Sequence, residues 1–352
     1  MHPTTRASDA ARQVLSTAAS RLMMADPTRD AAMNAALDQS LAWPLSAQSQ
    51  MPEANRSFEP RFSETDSRSL AYQVRPLGPG VNATDQREIT NATARRLIHD
   101  HFGASPLQFF DRRSEGHRAS YGASQGMGAR YALGLGADGL REVQASYEWG
   151  PSVIDLLPSQ VMSLARTVLD HIPTLVPFST AIRTSRFSGG QQVSFGIPQD
   201  TSLDAFLPLM EAFGMAHRHG GLVTLMAFVL GARFSLPAGS ATLTVLNTSQ
   251  GPEIRIDVNI DALPDAPEQL LPLLRLPMTE RPANLAALDQ WLTALTPEGY
   301  YGPGNVTVLS VRVRPQMPAR LALFLRPVAM QDETLPNPAI VGATPQPQPM
   351  LQ

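Results

Sequence analysis

An α+β fold built on antiparallel β-hairpins is the class this sequence predicts, with five repeated units that could close into a ten-stranded barrel. Two observations carry it. Runs with period-two alternation come in pairs around turn residues, as half-buried strands require. A helix-like run follows nearly every pair, and such a helix needs an apolar sheet face to sit on. The 352 residues, 43% of them hydrophobic, suffice for one large core.

The units run in order. Residues 1–50 are rich in Ala, Ser and Thr and read as a poorly ordered arm with one amphipathic stretch, Ala10 to Met24. The first hairpin is Arg56–Phe62 with Arg68–Arg75, followed by a helix near Gln86–Phe102. The second is Ala129–Leu135 with Leu140–Trp149, then a helix at Pro158–His171. The third pairs Thr180–Phe187 with Gln191–Ile197 around Gly189-Gly190, and Ser202–Phe213 follows as helix. The fourth holds three strand-like runs, Leu222–Leu230, Ala241–Leu246 and Glu253–Ile260, one too many for a hairpin, and then helical runs up to Leu295. The fifth is Asn305–Arg314 with Ala319–Arg326. Residues 51–330 thus form the predicted domain. The tail 331–352, with five prolines, reads as disordered.

Each strand has a dry face and a polar one. In Glu253–Ile260 the residues Ile254, Ile256 and Val258 oppose Arg255, Asp257 and Asn259; in Leu140–Trp149 Val143, Ala145 and Tyr147 oppose Gln144, Ser146 and Glu148. In Ala319–Arg326 the leucines 321, 323 and 325 oppose Arg320, Ala322, Phe324 and Arg326. A sandwich would put the polar face in bulk water. A barrel wrapped by helices would turn the apolar face outward and line a lumen with the polar one, wide enough for a ligand. The recurring helices favour the barrel.

Composition excludes several chemistries. There is no cysteine, hence no disulfide, thiolate zinc site or cysteine nucleophile, and no lysine, hence no Schiff base or P-loop. A net charge of −3 argues against a nucleic-acid partner. No apolar run is long enough for a membrane span, and no secretory signal stands at the start, so a cytoplasmic location is expected. His217 and His219 lack a third ligand, so no metal is expected. Gly134-x-Gly136 lies in a hairpin without a following helix, which fails the context of a dinucleotide loop.

Four stretches, in order, resemble the aromatic prenyltransferases of the αββα (PT-barrel) type, in particular the indole dimethylallyltransferase and cyanobactin prenyltransferase branches. They are Ser57-Phe58-Glu59, Leu70 to Gly78, Leu133 to Gly139 with Val143 to Pro151, and Asn305 to Ser310 with Leu321 to Pro327. The resemblance implies a metal-independent transferase of secondary metabolism, needing no cofactor. It would move an allyl group, usually dimethylallyl, from its diphosphate to an aromatic small molecule or peptide. Basic residues on alternating strand positions hold the diphosphate in that family, and interleaved tyrosines shield the allyl cation. A carboxylate near the first strand binds the acceptor's N–H and can take a proton. Glu59 stands at that carboxylate's position.

The sequence departs from the family where its cations and tyrosines belong. The first-hairpin Arg is Ala71, and the second-hairpin Lys and Tyr are Gln144 and Ser146. The third hairpin offers Gln192, Ser194 and Gly196, and the closing strand Ala322 and Phe324. By parity Arg130, Arg255, Arg312, Arg320 and Arg326 face the lumen and would replace the lost cations, since a guanidinium binds two phosphate oxygens at once. Glu142, Glu148 and Asp257 share that face and would oppose them. Two other readings stay open: a barrel with changed chemistry, such as an isomerase or cyclase of an aromatic metabolite, and a non-catalytic binder of an apolar ligand.

Overall fold

The computed structural model describes residues 5–50, 56–78, 80–118, 128–149, 154–155, 157–231 and 233–330. Ten strands close into one antiparallel barrel: β1 (Phe58–Ser63), β2 (Leu70–Val74), β3 (Ala129–Gly136), β4 (Gly139–Glu148), β5 (Val176–Ser185), β6 (Gly189–Gly196), β9 (Ala241–Thr248), β10 (Gly251–Asn259), β11 (Gly304–Arg314) and β12 (Met317–Pro327). The intervening β7 (Thr201–Ser202) and β8 (Ser235–Leu236) pair with each other outside it. Around the ring the order is β1-β12-β11-β10-β9-β6-β5-β4-β3-β2, so each hairpin neighbours the next in sequence and no strand edge is left open. All five hairpin turns lie at one end, and the longer helical connections cross at the other.

The alternation sets which face is dry. Ile254, Ile256 and Val258 are fully buried against the outer layer, while Arg255, Asp257 and Asn259 turn to the lumen. Val143, Ala145, Tyr147, Leu321, Leu323 and Leu325 are likewise buried on the outer face. The Tyr147 hydroxyl donates to Asn91 at 3.2 Å on α3 (Ala83–Phe102), and its ring stacks on His117 at 5.9 Å on α4 (Ala104–Arg118). The start of α3 is specified locally: the Asn82 side chain accepts from the N–H groups of Thr84 and Asp85, and Asp85 accepts from the Asn82 N–H.

Two expectations give way. Leu222–Leu230 is not a strand but the body of α7 (His219–Leu230). A run apolar but for Thr224 fits either period, and here its length and the left-handed Gly231 cap (φ 57°) settle it as helix. The amino-terminal arm is not loose over its described residues. It forms α1 (Ala7–Leu22) and α2 (Ala31–Ser40), which bury Ala7, Ala11, Leu15 and Ala18, with Trp43 fully enclosed just beyond. Small residues at helical spacing let α1 approach α9 (Pro282–Leu295), and Arg21 donates to the carbonyls of Thr293, Ala294 and Thr296 at that helix's C-terminus. The helices α5 (Ser159–His171), α6 (Leu207–Ala212) and α8 (Leu270–Arg275) complete the outer layer. The proline-rich tail lies outside the described residues.

Candidate active site

The barrel encloses a cavity of about 270 Å³. It runs from the helical end, where Arg56, Ser240 and Asn259 line it, to the middle of the barrel at Arg61, Arg255 and Asp257. Of the residues expected on the wall, Gln144, Ser146, Gln192, Ser194 and Phe324 are there. Ala322 is on the lumen face, paired with Ser63 and Ser310, but sits below the cavity, nearer the turn end.

The five arginines divide by height. Arg130 and Arg255 line the cavity. Arg312 faces the lumen beneath it, bonded through Nη1 to the Thr65 hydroxyl at 3.4 Å. Arg320, its cross-strand partner, lies at the turn end among Arg281, Glu64 and Arg218 and does not reach the cavity. Arg326 sits at the helical rim and pairs with Asp261 at 2.7 Å. Of the five, Arg130 and Arg255 reach the cavity wall, and the position of each residue along its strand decides whether it does so. Two wall arginines escaped the sequence reading. Arg61 follows Glu59 at the same parity, so alternation alone would have found it. Arg56 precedes the first strand and left no periodic signal.

The acids do not cancel the whole set. Asp257 takes Arg255 at 3.0 Å, Glu142 takes Arg183 at 3.6 Å, and Glu148 pairs with Arg75. Arg61 and Arg130 have no carboxylate within ion-pair distance among the described residues, and the Arg61 Nε is buried without a hydrogen bond. Burial, with the charge of Arg75 beside it, pulls the Arg130 guanidinium down to about 10. Burial likewise pulls Arg312 down to about 10, with repulsion from Arg61 and Arg255 opposing the attraction of Glu253. Burial lowers Arg61 as well, and Arg255 is again among the groups that repel it. Buried cations with too few counter-charges are costly, and an anion entering this cavity would relieve that cost.

Glu59 faces the lumen yet is fully buried, and it is not on the cavity wall. The Thr307 hydroxyl and the Arg56 Nε, the latter at 3.3 Å, donate to its Oε1, while Gln73 Nε2 donates to its Oε2. Thr307 reaches it because a bulge between Val306 and Val308 in β11 shifts the register there. Arg56 and Gln73, which do line the cavity, stand between Glu59 and any occupant. The carboxylates on the wall are Glu148 and Asp257.

No tyrosine lines the cavity among the described residues. Tyr72, Tyr131 and Tyr147 all point outward, where Tyr131 donates to the Ala36 carbonyl at 3.2 Å and Tyr72 packs on Phe58 at 5.7 Å. The aromatic rings on the wall are Phe178 and Phe324. No group of three His, Asp or Glu side chains able to hold a metal ion occurs among the described residues, and no described helix is long and apolar enough to cross a membrane.

No family model matches the chain, and no curated protein is similar to it in sequence. Solved structures match its fold over most of its length. The prenyltransferase PriB, in a binary complex with product diphosphate, superposes with a TM-score of 0.68 at 16% identity, covering 94% of this chain and 100% of PriB. The 6-dimethylallyltryptophan synthase from Micromonospora olivasterospora, in complex with DMASPP and Trp, gives 0.66 at 15% identity over 93% and 99% of the two chains. AnaPT from Neosartorya fischeri gives 0.57 at 13% identity over 79% and 80%. Ten hairpin strands in ring order, helices outside and a polar lumen within are therefore the PT-barrel fold of the aromatic prenyltransferases.

Proposed function

We propose that this chain is an aromatic prenyltransferase-like enzyme that transfers an allyl group, dimethylallyl in the first instance, from its diphosphate to an aromatic acceptor. The observation that carries the reading is the pair Arg61 and Arg130: half-buried guanidiniums on the cavity wall with no carboxylate in ion-pair contact among the described residues. A diphosphate carries about three negative charges, and taking it out of water without cations would cost several kcal/mol per charge. Arg61, Arg130 and the half-neutralised Arg255 supply those cations, and Arg312 adds its field from below. Arg320 and Arg326 have no part in this arrangement.

In this reading the allylic C–O bond breaks and its electron pair leaves on the diphosphate. A π pair of the acceptor ring forms the new C–C bond, and the ring then loses the proton of the substituted carbon. Such a ring cation is a strong acid, so a wall carboxylate, Glu148 or Asp257, suffices to receive the proton. Phe178 and Phe324 offer π faces to the allyl cation. PriB and the dimethylallyltryptophan synthase bind diphosphate or a thiolodiphosphate analogue in the same fold, which supports the assignment.

The tyrosine-free wall favours a second reading: the same fold and anion site with changed chemistry on an aromatic metabolite, or a binding role alone. One experiment separates the two. Dimethylallyl thiolodiphosphate is titrated calorimetrically into the protein, and dimethylallyl diphosphate is then supplied with a panel of aromatic acceptors and the products are followed by mass. Micromolar binding with a gain of one dimethylallyl mass supports transfer. Binding without any transfer favours changed chemistry, and absence of binding overturns the prenyl-donor assignment.

A further inference from the structure

The clamp around Glu59 changes which group would meet the acceptor. Both carboxylate oxygens are engaged, by Thr307, Arg56 and Gln73, and none of the side chain is exposed. A carboxylate has only acceptor oxygens to offer, so the end of the Gln73 amide that faces it must be the NH₂. The trigonal amide then turns its Oε1 away from Glu59. Gln73 lines the cavity, and its Oε1 has no hydrogen-bond partner among the described residues. Gln73 and Glu59 are direct cross-strand neighbours in the β1–β2 pairing, which holds the two side chains together. Beyond Gln73 the neighbouring strand presents only the methyl group of Ala132, so the wall beside the amide is open.

We infer that the Oε1 of Gln73 is the group that reads the acceptor, by taking a hydrogen bond from an aromatic N–H or O–H, and that Glu59 is a positioning residue that locks the amide in that orientation. This rests on the reading above only for the aromatic nature of the ligand; it needs neither a bound diphosphate nor turnover. An amide free to rotate would present donor or acceptor equally. Glu59 removes that ambiguity, and its own burial keeps water from competing for Gln73 Nε2.

The test is equilibrium binding of isosteric pairs to the full chain without prenyl donor: indole against benzofuran, and phenol against fluorobenzene. The donor-bearing member of each pair should bind the wild-type protein about tenfold more tightly, the usual worth of one buried hydrogen bond. In Gln73→Leu the preference should fall below twofold. In Glu59→Gln it should also collapse, because the released amide can turn, while affinity for benzofuran stays within about twofold of wild type. A merely structural Glu59 would instead weaken both members of a pair together. Equal binding of indole and benzofuran by the wild type, a preserved tenfold preference in Gln73→Leu, or no binding of either pair overturns the inference. Failure of the thiolodiphosphate titration alone would remove the prenyl donor and leave this result standing.

Discussion

Replacing Arg130 by Met should make the protein more stable and less able to hold an anion. The side chain is half-buried on the cavity wall beside Arg75, with Glu148 only partly offsetting that repulsion and no ion-pair partner among the described residues, and its guanidinium is pulled down to about 10. That depression corresponds to roughly 3 kcal/mol of unfavourable free energy in the charged form at neutral pH. Water in the cavity offsets part of this, so the stabilisation expected from Arg130→Met is about 1–2 kcal/mol. The opposite sign applies to ligand binding. Losing one charge-assisted contact to a buried phosphate costs about 1.5–3 kcal/mol, or about 10- to 150-fold in Kd. Urea unfolding with and without inorganic diphosphate reads both effects. At a ligand concentration of about 100 times the wild-type Kd, diphosphate should add about 2.7 kcal/mol to the wild type. A variant weakened about 100-fold should gain only about 0.4 kcal/mol at the same concentration. Reduced stability of the ligand-free variant, or an undiminished response to diphosphate, would refute the reasoning from an uncompensated cation.

Two further outcomes follow from buried titratable groups outside the cavity. Burial, with Arg87 beside it, holds His117 neutral with a pKa of about 4 against an ordinary 6.5, so between those values the unfolded chain binds the extra proton. Stability should therefore fall as pH drops from 6.5 towards 4, with a loss of about 2 kcal/mol at pH 5, and His117→Phe should flatten that part of a urea-unfolding pH series. At the turn end, fully buried Glu64 holds Arg281 at 2.8 Å, Asn284 at 3.1 Å and the Leu321 N–H. Arg281→Ala leaves that carboxylate without its cation and should cost about 3 kcal/mol in denaturant unfolding, whereas Arg233→Ala, at an exposed pair with Asp265, should cost under about 0.5 kcal/mol.

The fold was legible because barrel closure requires what alternation displays. Every barrel strand has one face against helices and one against the lumen, so the period-two code survives even where the lumen is polar. What escaped was structure whose signal is ambiguous or local. Leu222–Leu230 is apolar at every position but Thr224, and only its helical neighbours and the Gly231 cap distinguish it from a central strand. The arm hid its packing in alanines, which composition reads as low hydrophobicity and a helix surface reads as close approach. Ala7, Ala11 and Ala18 fall on one face, and that regularity, not residue size, was the available signal. The helix α4, rich in charge and carrying Pro106 and Gly116, had no clear period and went unseen.

The site was legible in one dimension and not in the other. Parity assigns a side chain to the lumen, but a barrel is also long, and each strand enters it with its own stagger. Arg312 and Arg320 are opposite each other near the turn end, Arg326 is at the helical rim, and Arg130 and Arg255 lie between. No periodicity separates these heights, because they depend on the shear of the closed sheet and on bulges such as Val306/Val308 that only the pairing reveals. The same bulge turns Thr307 onto Glu59 and so converts an expected wall carboxylate into a buried anchor behind Gln73. A motif match carries a residue's identity and face from one protein to another. It does not carry the neighbours that decide whether the side chain meets the ligand or holds the one that does.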